Sequence, residues 1–348
     1  MSNNLRPSSS RRKFLGTAAS LATGVTLAPS LIGAPRILKH YRPPNSLIDN
    51  VQIGVITYSF RSMPDQSAEA TLQYVKDAGV SAIELMGEPA ESFAGLVENP
   101  VDRRAYYQLR GAQQRGEALS EDQQKELADL EAQMQSHNKQ AAAWRANASM
   151  DKFVQMKKMY NDAGVSIYAF KPRAFGKDNT DAEIAYGMRA AKALGANQVT
   201  LEHPGDNNQT LRLGKIAKKH KIYVGYHGHE QQTPTFWDTA LKQSEYNAMN
   251  LDFGHFVAAG NEDPIGQVEA KHDRIVSMHL KDRQTPVHGK SNLLWGQGDT
   301  PIAEVLQLMR KEKYAFPATI ELEYDIPSGS DAVKEVAKCL EYCRKALV

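Results

Sequence analysis

The sequence predicts an α/β fold, and within that class a closed (β/α)8 barrel with a helical insertion after strand 2. Eight short β-rich runs alternate with helical patterns from residue 50 onward. Predicted strands 4 to 7 recur at intervals of about 25 residues, which is the length of one βα unit. The runs are almost continuously apolar, as strands are in a parallel sheet that helices cover on both faces. Eight such units favour a closed barrel over an open sheet.

Each predicted strand has its own sequence run. The runs are IGVITY (53–58), SAIELM (81–86), SIYAFK (core 167–171), NQVTLEH (197–203), IYVGYH (222–227), AMNLD (248–252), RIVSMHL (274–280) and ATIELEY (318–324). Helical patterns such as AEATLQYVKDAG and DAEIAYGMRAAKALG lie between them and end in Gly, as helix C-termini often do. No GxGxxG motif follows the first strand, and this disfavours a dinucleotide-binding sheet.

The interval between strands 2 and 3 is too long for one βα connection. Its last part, MDKFVQMKKMYNDAG, predicts the ordinary second helix, and residues 88–148 predict a charged helical insertion. Ser120 and Gln123 predict a capping box, and Leu127, Leu130 and Met134 form a narrow apolar stripe. We expect this stripe to pack on the barrel rim rather than to recruit a partner. A βα insertion lies on the catalytic face, where it could act as a lid or as a pocket wall.

The N-terminal stretch SSSRRKFLGTAASLATGVTLAPSLIGA resembles a twin-arginine export signal. Arg11 and Arg12 precede Phe14, Leu15 and a weakly apolar run, and the alternative is a disordered basic tail. We therefore expect residues 1–45 to be signal and linker, residues 46–348 to be one barrel domain, and the protein to be periplasmic or membrane-associated. The apolar run is too short and too rich in Gly and Ala for a stable membrane span.

Composition narrows the classes of partner. The chain has 348 residues, a net charge of +2 and no single-sign stripe, which disfavours nucleic acid as a partner. Cys339 and Cys343 lie in an apparent helix and are expected to pack as small apolar residues. A small-molecule substrate is expected, and a second copy of the chain is left open as a partner.

Ionisable side chains collect where the predicted strands end, which is where (β/α)8 barrels carry their chemistry. These positions are Tyr58, Glu84, Lys171, Glu202, His227, His229, Asp252, His255, His279, Asp282, Glu321 and Glu323. Buried carboxylates and imidazoles in this number need a cation or a substrate to compensate them. Imidazole and carboxylate donors without a thiolate suit one divalent ion, with Mn²⁺, Zn²⁺ or Co²⁺ favoured.

The predicted ligands of this ion are His229, Asp252, His279 and Glu323. His227 and Glu202 are expected to bind the ion directly or to support a ligand. Alternation along TIELEY places Glu321 and Glu323 on one face, with Glu323 nearer the mouth. The alternative role for Glu321 is a buried carboxylate paired with a lysine.

Several segments carry a resemblance to a known family. They are YHGHE (226–230), LDFGHF (251–256), RIVSMHLKD (274–282), WGQGDTPIAEVLQLMRKEKY (295–314) and TIELEYD (319–325). From about residue 50 to 345, apart from the insertion, the chain resembles the xylose-isomerase-like barrel superfamily, the sugar phosphate isomerase/epimerase group that also includes endonuclease IV. In its ketose epimerases, Glu, Asp, His and Glu from strands 5 to 8 hold the metal. Asp252, His279 and Glu323 match the last three, whereas strand 5 offers His227 and His229.

The resemblance implies a metal-dependent sugar isomerase or epimerase that transfers a proton next to a carbonyl through an enediolate. The predicted catalytic residues are Glu202, Glu323 and Lys171, with a plain salt bridge as the alternative for Lys171. Predicted substrate contacts are His227, His255, Lys281, Tyr58 and Trp295. Export, and the lack of a phosphate-binding glycine nest, favour an unphosphorylated sugar or keto-sugar. A 3-keto-glycoside lyase and a non-catalytic sugar-binding barrel remain open, and the near-neutral charge disfavours a nuclease.

Overall fold

The computed structural model describes residues 43–348, and in them the predicted (β/α)8 barrel is confirmed. Eight parallel strands run β2-β3-β4-β5-β6-β7-β8-β11, and the pairing of β11 with β2 closes the barrel. The strands are β1 Leu47–Ile48, β2 Val51–Ile56, β3 Ala82–Met86, β4 Ser166–Lys171, β5 Gln198–Glu202, β6 Tyr223–His227, β7 Asn247–Asp252, β8 Ile275–Leu280, β9 Asp282–Arg283, β10 Asn292–Leu293 and β11 Ala318–Ile320. The predicted export signal lies outside the described residues except for positions 43–45.

Helices cover the barrel, and in the described residues none combines the length and apolar character that a bilayer span requires. The α-helices are α1 Ala68–Asp77, α2 Gly87–Phe93, α3 Arg103–Gln114, α4 Glu121–Asn147, α5 Asp151–Asp162, α6 Asp181–Leu194, α7 Asn207–His220, α8 Asp238–Gln243, α9 Phe253–Ala258, α10 Pro264–Lys271, α11 Ile302–Glu312 and α12 Ala332–Leu347. Cys339 and Cys343 of α12 are buried in the core and unbridged, as expected.

The last barrel strand ends earlier than the sequence predicts. It was expected to reach residue 324, but β11 ends at Ile320. Beyond it, the Leu322 N–H donates to the Ser59 hydroxyl at 3.0 Å, and Arg61 donates to the Leu322 carbonyl at 2.8 Å. Side chains from the turn after β2 therefore replace the neighbouring strands as hydrogen-bond partners of this backbone.

The insertion contains a helical hairpin with a small core of its own. The Ser120–Gln123 capping box is present at the start of α4, as predicted. Leu127 and Leu130 of α4 pack with Val101 and with Leu109 of α3, whereas we had expected the stripe to pack on the barrel rim. One neighbouring helix is enough to bury a narrow apolar stripe on a long charged helix, and here α3 is that neighbour.

The far end of α4 is fixed to the barrel by a buried ion pair. Arg145 donates to both carboxylate oxygens of Glu91 in α2, at 2.8 and 3.0 Å, and Tyr186 of α6 donates to the same carboxylate at 3.2 Å. The side chains of Arg145 and Glu91 are only 7% and 5% exposed. Fork-to-fork geometry of this kind fixes orientation as well as distance.

Candidate active site at the C-terminal end of the barrel

A buried carboxylate from β3 forms the floor of the site. Glu84 accepts hydrogen bonds from the Thr200 hydroxyl at 2.6 Å and from the Asn250 amide at 3.2 Å. Its Oε2 also lies 2.8 Å from Nε2 of His279. Burial alone would raise the pKa of Glu84, but the positive charge of His279 holds this pKa below its ordinary value. Glu84 is therefore ionised beneath the mouth of the barrel.

His279, the penultimate residue of β8, lies between two carboxylates. Its Nε2 contacts Glu84, and its Nδ1 lies 2.7 Å from Oε2 of Glu321. Burial disfavours the charged ring, but the two carboxylates outweigh it and raise the pKa of His279 to about 10. Both ring nitrogens then carry protons and donate to these carboxylates. Carboxylates beside a histidine also orient it as a metal ligand once it loses a proton.

Lys281 follows two residues later and points into the same space. Its Nζ lies 2.8 Å from Asp252 Oδ2, 2.7 Å from Glu321 Oε2 and 2.9 Å from Glu323 Oε2. Burial opposes the charged form, but these carboxylates raise the pKa of Lys281 above its ordinary value. The site thus carries a fixed ammonium among three carboxylates.

His227, the last residue of β6, directs the lone pair of its Nε2 toward Asp252. Asn250 uses its amide N–H groups on Glu84 and Ser277, so its Oδ1 accepts from Nδ1 of His227 at 2.8 Å. Burial, with Lys171 and His279 nearby, lowers the pKa of His227 to about 4. The ring is consequently neutral, and its unprotonated Nε2 lies 3.5 Å from Asp252 Oδ2. This is the tautomer that a metal ligand requires.

Four side chains converge closely enough to hold one ion. Ligand atoms of His227, Asp252, His279 and Glu321 all lie within 4.8 Å of one another, and the four residues are buried. Asp252 Oδ2 is buried without a well-directed hydrogen bond, despite its short distance to Lys281. A buried carboxylate oxygen left in this state, beside imidazole and carboxylate donors, fits a divalent transition metal.

This converging group differs from the predicted ligand set at two positions. It contains His227 and not the predicted His229, which lies beyond the end of β6 with half of its side chain exposed. His229 belongs to a second group of potential ligands, with Glu202 and His227. Glu321 takes the place predicted for Glu323, because the Glu321 side chain is 7% exposed and that of Glu323 is 21% exposed. In each pair, the residue nearer the strand is the deeper one.

A second group lies nearer solvent. Glu202 Oε1 accepts from Lys171 at 2.9 Å, and its Oε2 lies 3.6 Å from His229 Nε2. Burial would raise the pKa of Glu202, but His227 and Lys171 nearby lower this pKa to about 2. The carboxylate is therefore ionised, and half of the side chain is exposed. Lys171 forms the salt bridge that the sequence left open as its alternative role.

Arg283 and Glu230 belong to the site, although sequence reasoning did not select them. Arg283 Nη1 donates to Nδ1 of His255, and its Nη2 donates to Glu230 Oε1 at 2.8 Å. A guanidinium has no acceptor, so His255 must carry its proton on Nε2. Burial, with Lys281 and Arg283 nearby, lowers the pKa of His255 to about 2 and keeps the ring neutral. Their positions were the available signal, since Glu230 is the last residue of the YHGHE motif and Arg283 directly follows HLKD.

This tautomer can be measured. Replacing Arg283 with methionine should remove the donor to Nδ1, so His255 should redistribute its proton between the two ring nitrogens. In ¹⁵N-histidine NMR spectra, the single Nδ1-acceptor pattern of His255 should give way to a mixture. Lys290→Met is the matched control, because Lys290 contacts Glu230 at 3.1 Å from the exposed side and should leave the pattern unchanged. An unaltered His255 pattern in Arg283→Met would contradict the assignment.

The two aromatic residues predicted to contact substrate each contact another side chain. Tyr58 is 40% exposed, and the Arg61 guanidinium stacks on its ring at 4.4 Å. Trp295 packs against Tyr342 of α12, with ring centroids 5.8 Å apart, rather than against the carboxylates and imidazoles. Asp282 accepts backbone N–H groups of Gly296 and Gly298 at 2.7 and 2.9 Å, and so holds the loop that follows Trp295.

Comparison with known proteins identifies the family. The chain matches the model of the xylose isomerase-like TIM barrel family over residues 72–343. No curated protein sequence matches it. A sugar phosphate isomerase/epimerase from Parabacteroides distasonis has a TM-score of 0.54 at 17% identity, covering 87% of this chain and 97% of that one.

Two other solved structures are similar at lower identity, and at these identities the likeness establishes the fold. IolI with a bound zinc atom has a TM-score of 0.54 at 12% identity, covering 86% of this chain and 99% of its own. The 3-keto-D-glucoside 4-epimerase YcjR from E. coli has a TM-score of 0.54 at 10% identity, covering 85% and 99%. From the family match over most of its length, this chain belongs to the xylose isomerase-like TIM barrels.

Proposed function

We propose that this protein is a divalent-metal-dependent sugar isomerase or epimerase that moves a proton next to a carbonyl. The observation that carries the proposal is the convergence of His227, Asp252, His279 and Glu321 within 4.8 Å. Family membership supports it, as do structural neighbours described as a sugar phosphate isomerase/epimerase and a 3-keto-D-glucoside 4-epimerase. Mn²⁺, Zn²⁺ and Co²⁺ are the candidate ions, and the zinc atom in IolI supports an ion of this class.

A divalent ion held there would polarise a sugar carbonyl and acidify the neighbouring C–H. Residues of the chain would take the proton, stabilise the developing charge and return the proton. Glu202 is ionised and reachable from solvent, so it is the proposed base that takes the proton. Lys171, 2.9 Å from Glu202, would stabilise the negative charge that develops on the substrate oxygen. Glu323 is the proposed second carboxylate for returning a proton.

The N–H on Nε2 of His255 lies at the rim beside Glu323, with 3.7 Å between Nε2 and Glu323 Oε2. A neutral donor held in one tautomer can bind a hydroxyl oxygen or protonate a departing alkoxide. The second role supports a second candidate function, β-elimination of a 3-keto-glycoside at the same site. In that reaction the base removes a proton beside the ketone, and the C–O bond at the β-carbon breaks as the alkoxide receives a proton.

We further propose that the substrate is an unphosphorylated sugar or keto-sugar met after export. The twin-arginine pattern at Arg11 and Arg12 supports this proposal, because an exported enzyme meets free and oxidised glycosides more than cytoplasmic sugar phosphates.

The test combines metal analysis with isotope exchange. Protein loaded with Mn²⁺, Zn²⁺ or Co²⁺ should bind about one ion per chain and should exchange one C–H of a free sugar or 3-keto-glycoside for deuterium in D₂O. Asp252→Asn should lose both the ion and the exchange. Asp238→Asn is the matched control, since Asp238 is ion-paired with Lys271 outside the site.

The outcome also separates the two reactions. Exchange without loss of a substituent indicates isomerisation or epimerisation, whereas release of the aglycone with a new absorbance from an unsaturated ketone indicates elimination. Exchange that persists unchanged in Asp252→Asn would refute the proposed site.

A further inference from the structure

The ammonium of Lys281 lies among the oxygens that a metal ion would use. It is within 2.7 to 2.9 Å of Asp252 Oδ2, Glu321 Oε2 and Glu323 Oε2, and the residue is only 2% exposed. The contact with Glu323 is a hydrogen bond, whereas those with Asp252 and Glu321 are close ion pairs. Two of these carboxylates, Asp252 and Glu321, also belong to the converging group of potential ligands.

A metal ion and this ammonium would compete for the same two oxygens. Divalent transition metals bind carboxylate oxygen at about 2.0 to 2.2 Å. Asp252 Oδ2 and Glu321 Oε2 already lie 2.8 and 2.7 Å from Lys281 Nζ, so an ion bound to both would lie very close to the ammonium charge. Like charges at such a separation in a buried site repel strongly.

The backbone is built to admit the lysine stem at this place. A Cβ at position 254 would overlap Lys281 Cγ and come within 2.6 Å of the Lys281 carbonyl oxygen. Gly254, the glycine of LDFGHF, therefore lets α9 approach the end of β8 and enclose the side chain. A lysine enclosed in this way is tolerated because carboxylates surround it.

We propose that Lys281 is the internal counter-cation of this site and competes with the divalent ion for Asp252 and Glu321. In the metal-free protein, the ammonium neutralises the three carboxylates and keeps the site folded. When an ion binds, the ammonium gives up Asp252 and Glu321 and stays with Glu323, the carboxylate outside the converging group. The affinity for the metal ion then depends on the cost of displacing the ammonium as well as on the ligands themselves. The inference rests on the metal site of the proposed function.

The test measures metal affinity and stability together in the full chain, with Co²⁺ alone as the probe. Lys281→Met should bind Co²⁺ more tightly than the wild type, by about tenfold or more, since the competing charge is gone. The same variant should melt at a lower temperature without metal, because three carboxylates lose their cation. Lys281→Gln keeps amide donors for the carboxylates but no charge, and should gain affinity with a smaller loss of melting temperature.

The matched control is Lys271→Met, which removes an ion-paired, half-buried lysine from α10 and should leave Co²⁺ affinity unchanged. The wild type gives a measurement that needs no variant. The side-chain ¹⁵N–¹H signal of Lys281 should shift when Zn²⁺ is added, and a signal that stays in place while Zn²⁺ binds overturns the inference.

The outcomes separate this inference from the proposed function. If the wild type binds Co²⁺ and both Lys281 variants bind it equally or more weakly, the inference is overturned and the proposed function stands. Binding only after Lys281 is neutralised supports the inference in its strongest form. If neither the wild type nor the variants bind the ion, both the inference and the metal dependence of the proposed function are wrong.

Discussion

Replacing His279 with leucine should abolish binding of the divalent ion and lower the free energy of unfolding by about 3–5 kcal/mol. His279 donates to Glu84 and Glu321 from its two ring nitrogens, at 2.8 and 2.7 Å, and all three groups are buried. Leucine fills much of the same volume but leaves two carboxylates facing each other without the charge between them. The measurements are Co²⁺ titration and urea unfolding of the full chain.

A second substitution separates the two effects. Adding Glu84→Gln to His279→Leu removes one unpaired buried charge, and so should recover part of the lost stability without restoring metal binding. The amide that replaces this carboxylate can still accept from Thr200, whose hydroxyl lies 2.6 Å from Glu84 Oε1. Full metal affinity in either variant would mean that His279 is not a ligand.

Arg145→Met should lower the free energy of unfolding by a similar amount, about 3–5 kcal/mol, although Arg145 lies outside the group of potential metal ligands. The substitution leaves the buried Glu91 side chain without its guanidinium partner, with only Tyr186 as a hydrogen-bond partner, at 3.2 Å. Because Arg145 joins α4 to α2, we also expect the insertion to lose protection in amide hydrogen exchange before the barrel does. Urea unfolding and hydrogen exchange measure the two effects.

Two comparisons make this result specific. Arg145→Met combined with Glu91→Gln should recover most of the loss, since Glu183, the other carboxylate near Arg145, keeps its hydrogen bonds from Asn179 and Thr180. Lys158→Met removes an exposed pair with Asp162, whose side chains are 75% and 63% exposed, and should change stability by less than about 0.5 kcal/mol. A small effect for Arg145→Met would show that solvent reaches Glu91 readily.

The sequence predicted the barrel well because its signals are local. A βα unit repeats a short apolar strand and an amphipathic helix, and both can be recognised within a few residues. Helix α5 and the Ser120–Gln123 capping box were located for the same reason. The end of β11 was missed because side chains of Ser59 and Arg61, 261 to 263 residues away, bond the backbone around Leu322.

The sequence predicted the barrel end at which the candidate site lies, but not how its side chains are arranged there. Parallel strands bring their carboxyl ends to one rim, so the sequence could indicate that Glu202, Asp252 and His279 gather there. It placed Glu323 nearer the mouth than Glu321, and their exposed fractions of 21% and 7% follow that order. It could not say which residue of each pair would lie among the converging side chains, where the structure has His227 and Glu321. A difference of two residues along a chain becomes a difference in depth only when the point at which the strand leaves the barrel is known.

The sequence by itself determined the fold, the barrel end at which ionisable side chains gather and the kinds of donor among them. Only the tertiary structure decided which charged side chains pair with one another. In the folded chain His279 contacts Glu84, 195 positions away, and the Lys281 ammonium lies among three carboxylates. Arg283 donates to Nδ1 of His255 and so determines which ring nitrogen carries the proton. The physical reason is range. Periodicity and turn chemistry act over a few residues, whereas charge pairing and burial depend on distances across the barrel that no local pattern encodes.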